Sequence, residues 1–446
     1  MNDAAKSSAI TIVGGGATGV ILTAHLLKSA DPNLRVTLVE RRAAFGQGQA
    51  YSTTLPQHLL NVSDQGMSAL AEDPGHFHQW VSSRGLTKGD KPYFAPRSVY
   101  AEYLQDLLSE LAKREPVRLR LVHEQVSAVR PTESGVEVAL ENGTSLIGRA
   151  AVLATGNRDE PAATYPYAVR LSDLTAATTP TSGNVLVLGT GLSMVDAYLQ
   201  LHASGFKGQV VGVSRRGLLP SPHKSARPVR LDSADIPLGT DLSYFVRWFR
   251  DFIAETESRG GDWRDAIDGL RPYNQRIWQS WPASAKRRFL EHTKAWWDIH
   301  RHRMAPEIHE QITKAIRAKK LRLIAGRVAG VADAGSGKIV AVEHRRSKQS
   351  EKIDASLIID CTGILNNVSQ TNESVLRSLI DAGQARPDPL HIGLDVTADC
   401  ALIDKDGKAS SRLFAAGPIT RGTFFEIDAV PEIRAQAAKL ARFLTG

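Results

Sequence analysis

The sequence predicts an α/β chain of two parallel-sheet domains, and three observations carry that prediction. An apolar strand runs into a glycine-rich turn and then a helix near residue 14. The same succession returns near residue 189. Two further apolar strands, residues 150–156 (AAVLATG) and 357–363 (LIIDCTG), end alike in Thr-Gly.

Residues 9–13 (AITIV) read as a buried parallel strand, because apolar and β-branched residues run on without a polar break. Gly14, Gly16 and Gly19 follow in the spacing G-x-G-x-x-G, and residues 20–28 take up helical spacing. Strand, tight turn and helix are the setting that gives this motif its meaning. Gly14 permits the turn, Gly16 lets a pyrophosphate approach the backbone, and Gly19 lets the helix pack closely on the strand. Ala17 and Thr18 open the helix, whose free N–H groups favour an anion. The next strand, residues 35–40 (RVTLVE), ends in Glu40 and is followed by Arg41. Glu40 stands about 20 residues past the last glycine, where a carboxylate binds adenosine ribose hydroxyls. A carboxylate there repels a ribose 2′-phosphate, which leaves FAD or NAD. The existence of a second loop further on favours FAD at the first.

Residues 184–189 (NVLVLG) form the second strand, and Gly189, Gly191 and Ser193 lead into a helix over residues 195–203. Met194 stands at the third glycine position, so the fingerprint is degraded while its strand and helix remain. The following strand, residues 209–214, runs into Arg215 and Arg216, in the place expected for the counterpart of Glu40. A basic pair there suits the 2′-phosphate of NADPH through bidentate hydrogen bonds. The alternatives are NADH and a solvated basic turn.

The strands ending at Thr155-Gly156 and Thr362-Gly363 are expected to return from one domain towards the other. Each follows a meander-like stretch, residues 117–146 and 321–342. The expected organisation is a first domain for FAD over residues 1–172 and 357–446, and a second for NAD(P) over residues 173–356. The fold class is thus two Rossmann-like domains with small β insertions and a helical cap. The cap is residues 242–320, which hold six of the seven tryptophans. Both cofactors would meet at a cleft beyond the carboxyl ends of the strands.

Composition narrows the function. The 446 residues allow two or three domains, and 42% hydrophobic content suits a substantial core. The net charge of +8 is spread out, with no basic arm of the kind that binds nucleic acid. Cys361 and Cys400 are the two cysteines and form no CxxC, which disfavours a redox-active disulfide. The first apolar run is five residues long, too short for a signal core or a membrane span. A cytoplasmic protein with no nucleic-acid or membrane partner is expected.

The chain resembles a bacterial family of FAD/NAD(P)-binding flavoproteins along nearly its whole length. The carriers include residues 46–51 (GQGQAY), 58–62 (HLLNV), 67–70 (MSAL), Pro96-Arg97 with Tyr100, 214–220 (SRRGLLP), 297–303 (WDIHRHR), 417–422 (GPITRG) and 429–434 (AVPEIR). More distantly the layout is similar to single-component flavin monooxygenases, including the N-hydroxylating ones. Residues 157–182 contain no histidine and no tryptophan, so the Baeyer–Villiger fingerprint between the two loops is missing.

Residues 47–50, with Gln49, and 60–62, with Asn61 and Val62, resemble the family's flavin-lining loops; Asn61 would hydrogen-bond the isoalloxazine ring, with a structural turn as its alternative. Val126, Thr155 and Gly156 are further expected cofactor-binding residues. Arg97, expected in a loop before a helix over residues 99–111, would bind FAD phosphate or an anionic substrate; its alternative is a surface salt bridge. Gly417 ends a late strand, and Pro418 stands where many relatives place a ribityl-binding aspartate. Pro431 opens a last helix, whose dipole would stabilise reduced flavin if its N-terminus faces the ring; the alternative is an ordinary C-terminal helix packed on the sheet. In the 297–303 segment, His300 is a candidate for holding nicotinamide phosphate or an acidic substrate, against an ion-pair network that fixes the cap. His300 and His302 are spaced i, i+2, which makes a poor metal site. Asn61, Arg97 and His300 are the candidates for catalysis, and no general base stands out.

The first functional expectation is an FAD-dependent NAD(P)H oxidoreductase of monooxygenase type, oxygenating a small molecule through a C4a-hydroperoxyflavin. The alternatives are an oxygen-independent NAD(P)H–flavin reductase or dehydrogenase, and a non-catalytic FAD-binding redox sensor.

Overall fold

The computed structural model describes residues 8–87, 91–157, 165–175, 177–335, 337–363 and 367–446. The chain forms two compact units. The first comprises Met1–Asp159, Asn274–Ala283 and Leu365–Gly446; the second comprises Glu160–Tyr273 and Ser284–Ile364.

In the first unit, β1 (Ala9–Val13), β2 (Arg35–Glu40) and β3 (Leu119–His123) lie side by side and parallel. A separate antiparallel sheet holds β4 (Val126–Pro131), β5 (Val136–Leu140) and β6 (Ser145–Gly148). The strand β7 (Ala150–Leu153) then pairs with β1 on its other side. The second unit contains β8 (Val169–Arg170), β9 (Asn184–Leu188), β10 (Gln209–Ser214), β11 (Leu321–Ala334), β12 (Gly337–His344), β13 (Ser350–Ala355) and β14 (Leu357–Asp360), in the order β13-β12-β11-β10-β9-β14-β8. Returning to the first unit, β15 (Ala401–Ile403) and β16 (Ala409–Ala415) complete the order β15-β16-β7-β1-β2-β3.

The two sheets share one parallel core, β7-β1-β2-β3 in the first and β14-β9-β10-β11 in the second. Their registers match residue for residue. Gly14 N–H donates to Val39 O at 2.9 Å, and Gly189 N–H donates to Val213 O at 2.7 Å. Ala154 N–H donates to Val13 O and Cys361 N–H to Leu188 O, both at 2.8 Å. The unit is therefore repeated: Gly14 corresponds to Gly189, Val39 to Val213 and Ala154 to Cys361.

The meander-like stretches divide differently from the sequence expectation. β3 belongs to the parallel sheet, and only β4–β6 form the insertion. In the second unit β11 does both jobs. Its start pairs in parallel with β10 up to Ala325, and from Gly326 it pairs antiparallel with β12. Alternation of residues identifies a strand without identifying its partner.

The helix Ala17–Leu26 has no Asp, Glu, Lys or Arg and is buried from Thr18 onwards. A helix apolar on all sides needs cover on all sides. The sheet supplies one side and the C-terminal helix Val430–Thr445 another. Each fully buried side chain here, such as Ile21 or Leu22, contributes about 1.5–3 kcal/mol.

The tryptophan-rich stretch is split between the units, and the boundaries expected at 172/173 and 356/357 give way to four crossings of the chain. The reason lies in residues 274–283. Trp278 is buried, stacks on Phe425 at 4.8 Å between ring centroids, and donates its indole N–H to Gly422 O at 2.9 Å. Asn274 Nδ2 donates to the buried Glu426 carboxylate at 2.9 Å. Clustering along the chain shows that these residues are aromatic; it does not show which core receives them. Among the described residues, no helix is long and apolar enough to cross a membrane.

Candidate dinucleotide sites

The first loop is shaped by contacts that its glycines alone can make. Gly14 has φ +107°, and a Cβ there would lie 2.4 Å from Ala154 O. A Cβ on Gly19 would lie 2.0 Å from Gly14 O, so helix and turn touch backbone to backbone. Gly15, which the motif leaves open, is constrained as well, with Phe45 Cδ1 2.5 Å from where its Cβ would be. Glu40 fixes the turn from the neighbouring strand. Its Oε2 accepts from Gly15 N–H at 2.7 Å and its Oε1 from Arg42 N–H at 2.9 Å. An ionised carboxylate has about four acceptor positions, so two remain for hydroxyl groups.

These elements line a cleft of about 1060 Å³, open to solvent. Its floor is the carboxyl ends of β1, β2 and β7 with Gly14, Gly16, Ala17 and Thr18. Gln49 and Tyr51, Val126, Thr155 and Gly156 also line it. Thr155 Oγ1 is buried and has no hydrogen-bond partner among the described residues. A buried hydroxyl left unmatched costs about 1–3 kcal/mol. Burial pushes the Tyr51 phenol up to about 12, with Arg97 pulling the other way.

The other residues singled out in the sequence fall around this cleft in different ways. Arg41 lines it and pairs with Glu373 at 3.2 Å. Asn61 and Val62 are half-buried and are not part of its lining. Arg97 is the first residue of the helix Arg97–Arg114 and not a loop residue; its Nε donates to Leu59 O at 3.3 Å. Gly417 lies behind the loop with φ +74°, and its N–H donates to Gln436 Oε1 at 2.7 Å. Pro431 sits in the first turn of the helix Val430–Thr445, and Ile433 of that turn reaches the cleft. The sequence reading missed Glu124, Glu373, Ser374 and Asp428, which also line it.

The second loop repeats the first with other residues. Gly189 has φ +108°, and its Cβ would lie 2.3 Å from Cys361 O. Gly191 caps the helix Leu192–Ala203, with Ser193 in its first turn. Thr190 takes the place of Gly15, and Ser214 takes the place of Glu40. Their hydroxyls bond each other at 2.8 Å, a neutral version of the Gly15–Glu40 contact. The register thus corrects the expectation that the basic pair replaces Glu40: Arg215 and Arg216 correspond to Arg41 and Arg42. Met194 is buried, and Gly212 on β10 stands where Leu38 stands on β2. A Cβ on Gly212 would meet Leu323 Cδ2 at 3.1 Å and Thr190 Cγ2 at 3.3 Å, with Met194 Cγ at an ordinary contact distance of 3.6 Å, so Met194 packs beside a strand position that carries no side chain.

Arg215 and Arg216 line a second cleft of about 670 Å³, together with Arg327, Arg345 and Lys348. Arg215 Nη1 donates to Glu291 O at 3.3 Å and Arg216 Nη2 to His292 O at 2.7 Å. Both acceptors belong to a π-helical turn, Phe289–Thr293. Partial burial, then Arg345 and Arg215 close by, lower the Arg216 pKa.

His300 lines neither cleft. It hydrogen-bonds Trp296 O through Nδ1 at 2.7 Å and packs edge-on against Trp263 at 4.7 Å. Arg303 beside it is buried and grips Asp268 with two bonds of 2.9 and 2.8 Å. Among the described residues, no group of three or more His, Cys, Asp or Glu is placed to hold a metal ion.

Residues 11–158 match the model of a family described as FAD-NAD(P)-binding. No curated protein sequence matches the chain. Solved structures match it along its length. The ornithine N-hydroxylase of Kutzneria sp. 744 is 16% identical, with 98% of this chain and 99% of that chain covered and a TM-score of 0.67. A cadaverine monooxygenase of Erwinia amylovora, solved bound to FAD, is 15% identical over 98% and 94%, with a TM-score of 0.66. The ornithine hydroxylase of Pseudomonas aeruginosa is 14% identical over 98% and 99%, with a TM-score of 0.63. The fold is therefore the one shared by flavoproteins with two dinucleotide-binding sheets, as the sequence resemblance implied.

Proposed function

We propose that this chain is an FAD-dependent oxidoreductase of monooxygenase type, reduced by NADPH and acting on a small molecule. One observation carries the reading: a single parallel unit occurs twice, with Gly14 and Gly189 at φ +107° and +108°, and the two copies differ in charge at the ends of β2 and β10. FAD, when bound, supplies two-electron transfer from a nicotinamide and reaction with oxygen.

The first cleft fits that cofactor. The N–H groups at the start of the helix Ala17–Leu26 would receive its pyrophosphate. Glu40 would receive the ribose hydroxyls, and the unmatched Thr155 hydroxyl would gain a partner. Asn61 and Arg97 would act from the margin, Arg97 by its charge near Tyr51. The acidic strand end disfavours a 2′-phosphate here. The basic cleft of the second unit favours one, which makes NADPH the reductant over NADH.

The fold neighbours include enzymes named for ornithine and cadaverine, which supports a small amine as the substrate class. The test is oxygen uptake by the flavin-loaded protein with NADPH and a panel of amines and amino acids. Coupled turnover consumes one NADPH and one O2 per oxygenated product and releases water. Flavin-dependent NADPH oxidation that never yields an oxygenated product would favour the reductase alternative.

A further inference from the structure

The internal repeat places the second basic cleft at a defined position. β2–β3 pair Glu40 with His123, and β10–β11 pair Ser214 with Ala325. Glu124 and Gln125 of the first cleft therefore correspond to Gly326 and Arg327 of the second. At these positions two carboxylates, Glu40 and Glu124, are exchanged for a serine and a glycine, and a glutamine for an arginine.

The second cleft also gains residues from the β12–β13 hairpin, where Arg345 and Lys348 follow β12. The cations there are not equivalent. Arg327 and Lys348 share the Glu343 carboxylate, at 2.8 and 3.7 Å. Arg215, Arg216 and Arg345 have no carboxylate within 4.0 Å among the described residues; their contacts are the backbone carbonyls of Glu291, His292 and Arg215 and, for Arg216, the face of Trp296 at 5.5 Å. Carbonyls orient a guanidinium without neutralising it.

We propose that Arg345, on the hairpin, closes a clamp with Arg216 around the ribose 2′-phosphate of the nicotinamide dinucleotide, so that the hairpin selects the phosphorylated cofactor. The inference rests on the reading of the second unit as the NADPH site and adds to it a residue far from the glycine loop. Arg327 and Lys348 tie Glu343 down, which keeps its charge from the phosphate. The π-helical turn holds the arginine pair in place from the other side.

The test is calorimetric titration of the full-length protein, as purified, with adenosine 2′,5′-bisphosphate and with adenosine 5′-monophosphate. The wild type should prefer the bisphosphate. Arg345→Ala should weaken bisphosphate binding about tenfold, the loss of one charge-assisted contact, and leave the monophosphate unchanged. Arg322→Ala is the control, since Arg322 pairs with Glu351 away from the cleft; it should change neither. Equal weakening of both ligands by Arg345→Ala, or none, would overturn the proposal. Flavin bleaching by NADPH and NADH separates this failure from failure of the broader reading. Bleaching by both at equal efficiency, unaltered in Arg345→Ala, refutes the clamp alone, whereas no bleaching by either refutes the reductive step.

Discussion

Gly16→Ala separates what the fold needs from what a ligand needs. Gly16 has φ −70° and ψ −166°, extended backbone open to any residue. Its Cβ would come no closer than 3.4 Å, to Gly48 Cα. Replacing glycine by alanine at a helix N-cap costs about 0.5–1 kcal/mol. Reduced freedom of the unfolded chain returns about 0.4–1 kcal/mol. The protein without cofactor should therefore change by less than about 1 kcal/mol. Gly14→Ala is the contrast. It forces a side chain to φ +107° and to 2.4 Å from Ala154 O. Backbone strain of about 1–3 kcal/mol and overpacking of about 1–3 kcal/mol should add. For Gly16→Ala the methyl group would stand where the pyrophosphate approaches, and FAD affinity should fall at least about tenfold, or 1.4 kcal/mol. The assay is the flavin-to-protein absorbance ratio, with urea unfolding in the absence and presence of FAD. At about 100 times its Kd, FAD should add about 2.7 kcal/mol to the wild type. A Gly16→Ala protein that keeps its full flavin, or that loses as much stability without FAD as Gly14→Ala, would refute the assignment.

Thr155→Val removes a buried hydroxyl that has no partner among the described residues. It should leave the flavin-free protein as stable or more stable, by up to about 1–3 kcal/mol, while weakening FAD binding; lower stability without FAD would contradict this. Gly212→Ala brings a Cβ to 3.1 Å from Leu323 Cδ2 and 3.6 Å from Met194 Cγ. It should cost about 1 kcal/mol, and combination with Met194→Ala should cost less than the sum, as a double-mutant cycle would measure. Burial, with Lys28 next, lowers the His25 pKa from 6.5 to about 4. The unfolded chain therefore binds a proton that the folded one refuses. Stability is complete above about pH 6.5 and is lost as pH falls towards 4, by at most about 3 kcal/mol. His25→Leu should flatten the urea midpoint between those pH values, and an unchanged slope would exclude His25 as the cause.

Local patterns were legible wherever the relevant contacts are local. Strand, glycine turn, helix and Glu40 lie within 32 residues of one another, from Ala9 to Glu40, and their spacing encodes their geometry. The partner of Arg41 was not legible, because Glu373 stands 332 residues away. The second unit was legible despite Met194 at the third glycine position, because its strand, turn and helix stand in the same local order. The basic pair was displaced: which residue matches Glu40 is set by the register of β10, and that residue is Ser214. Arg345 carried no signal, because nothing local marks a hairpin arginine as part of a cleft begun at Arg215. Trp278 shows the same limit from the side of the core, being assigned by its stacking on Phe425 and not by its tryptophan neighbours in the chain.

The central claim is that the two repeated units hold two different dinucleotides and pass electrons from one to the other. Anaerobic titration of the purified, flavin-loaded protein with NADPH and then with NADH tests it most directly. Complete bleaching of the flavin absorbance by NADPH, at much lower concentration than by NADH, is the predicted result. A protein that carries no flavin and takes up none, or a bound flavin that neither nucleotide bleaches, would contradict it.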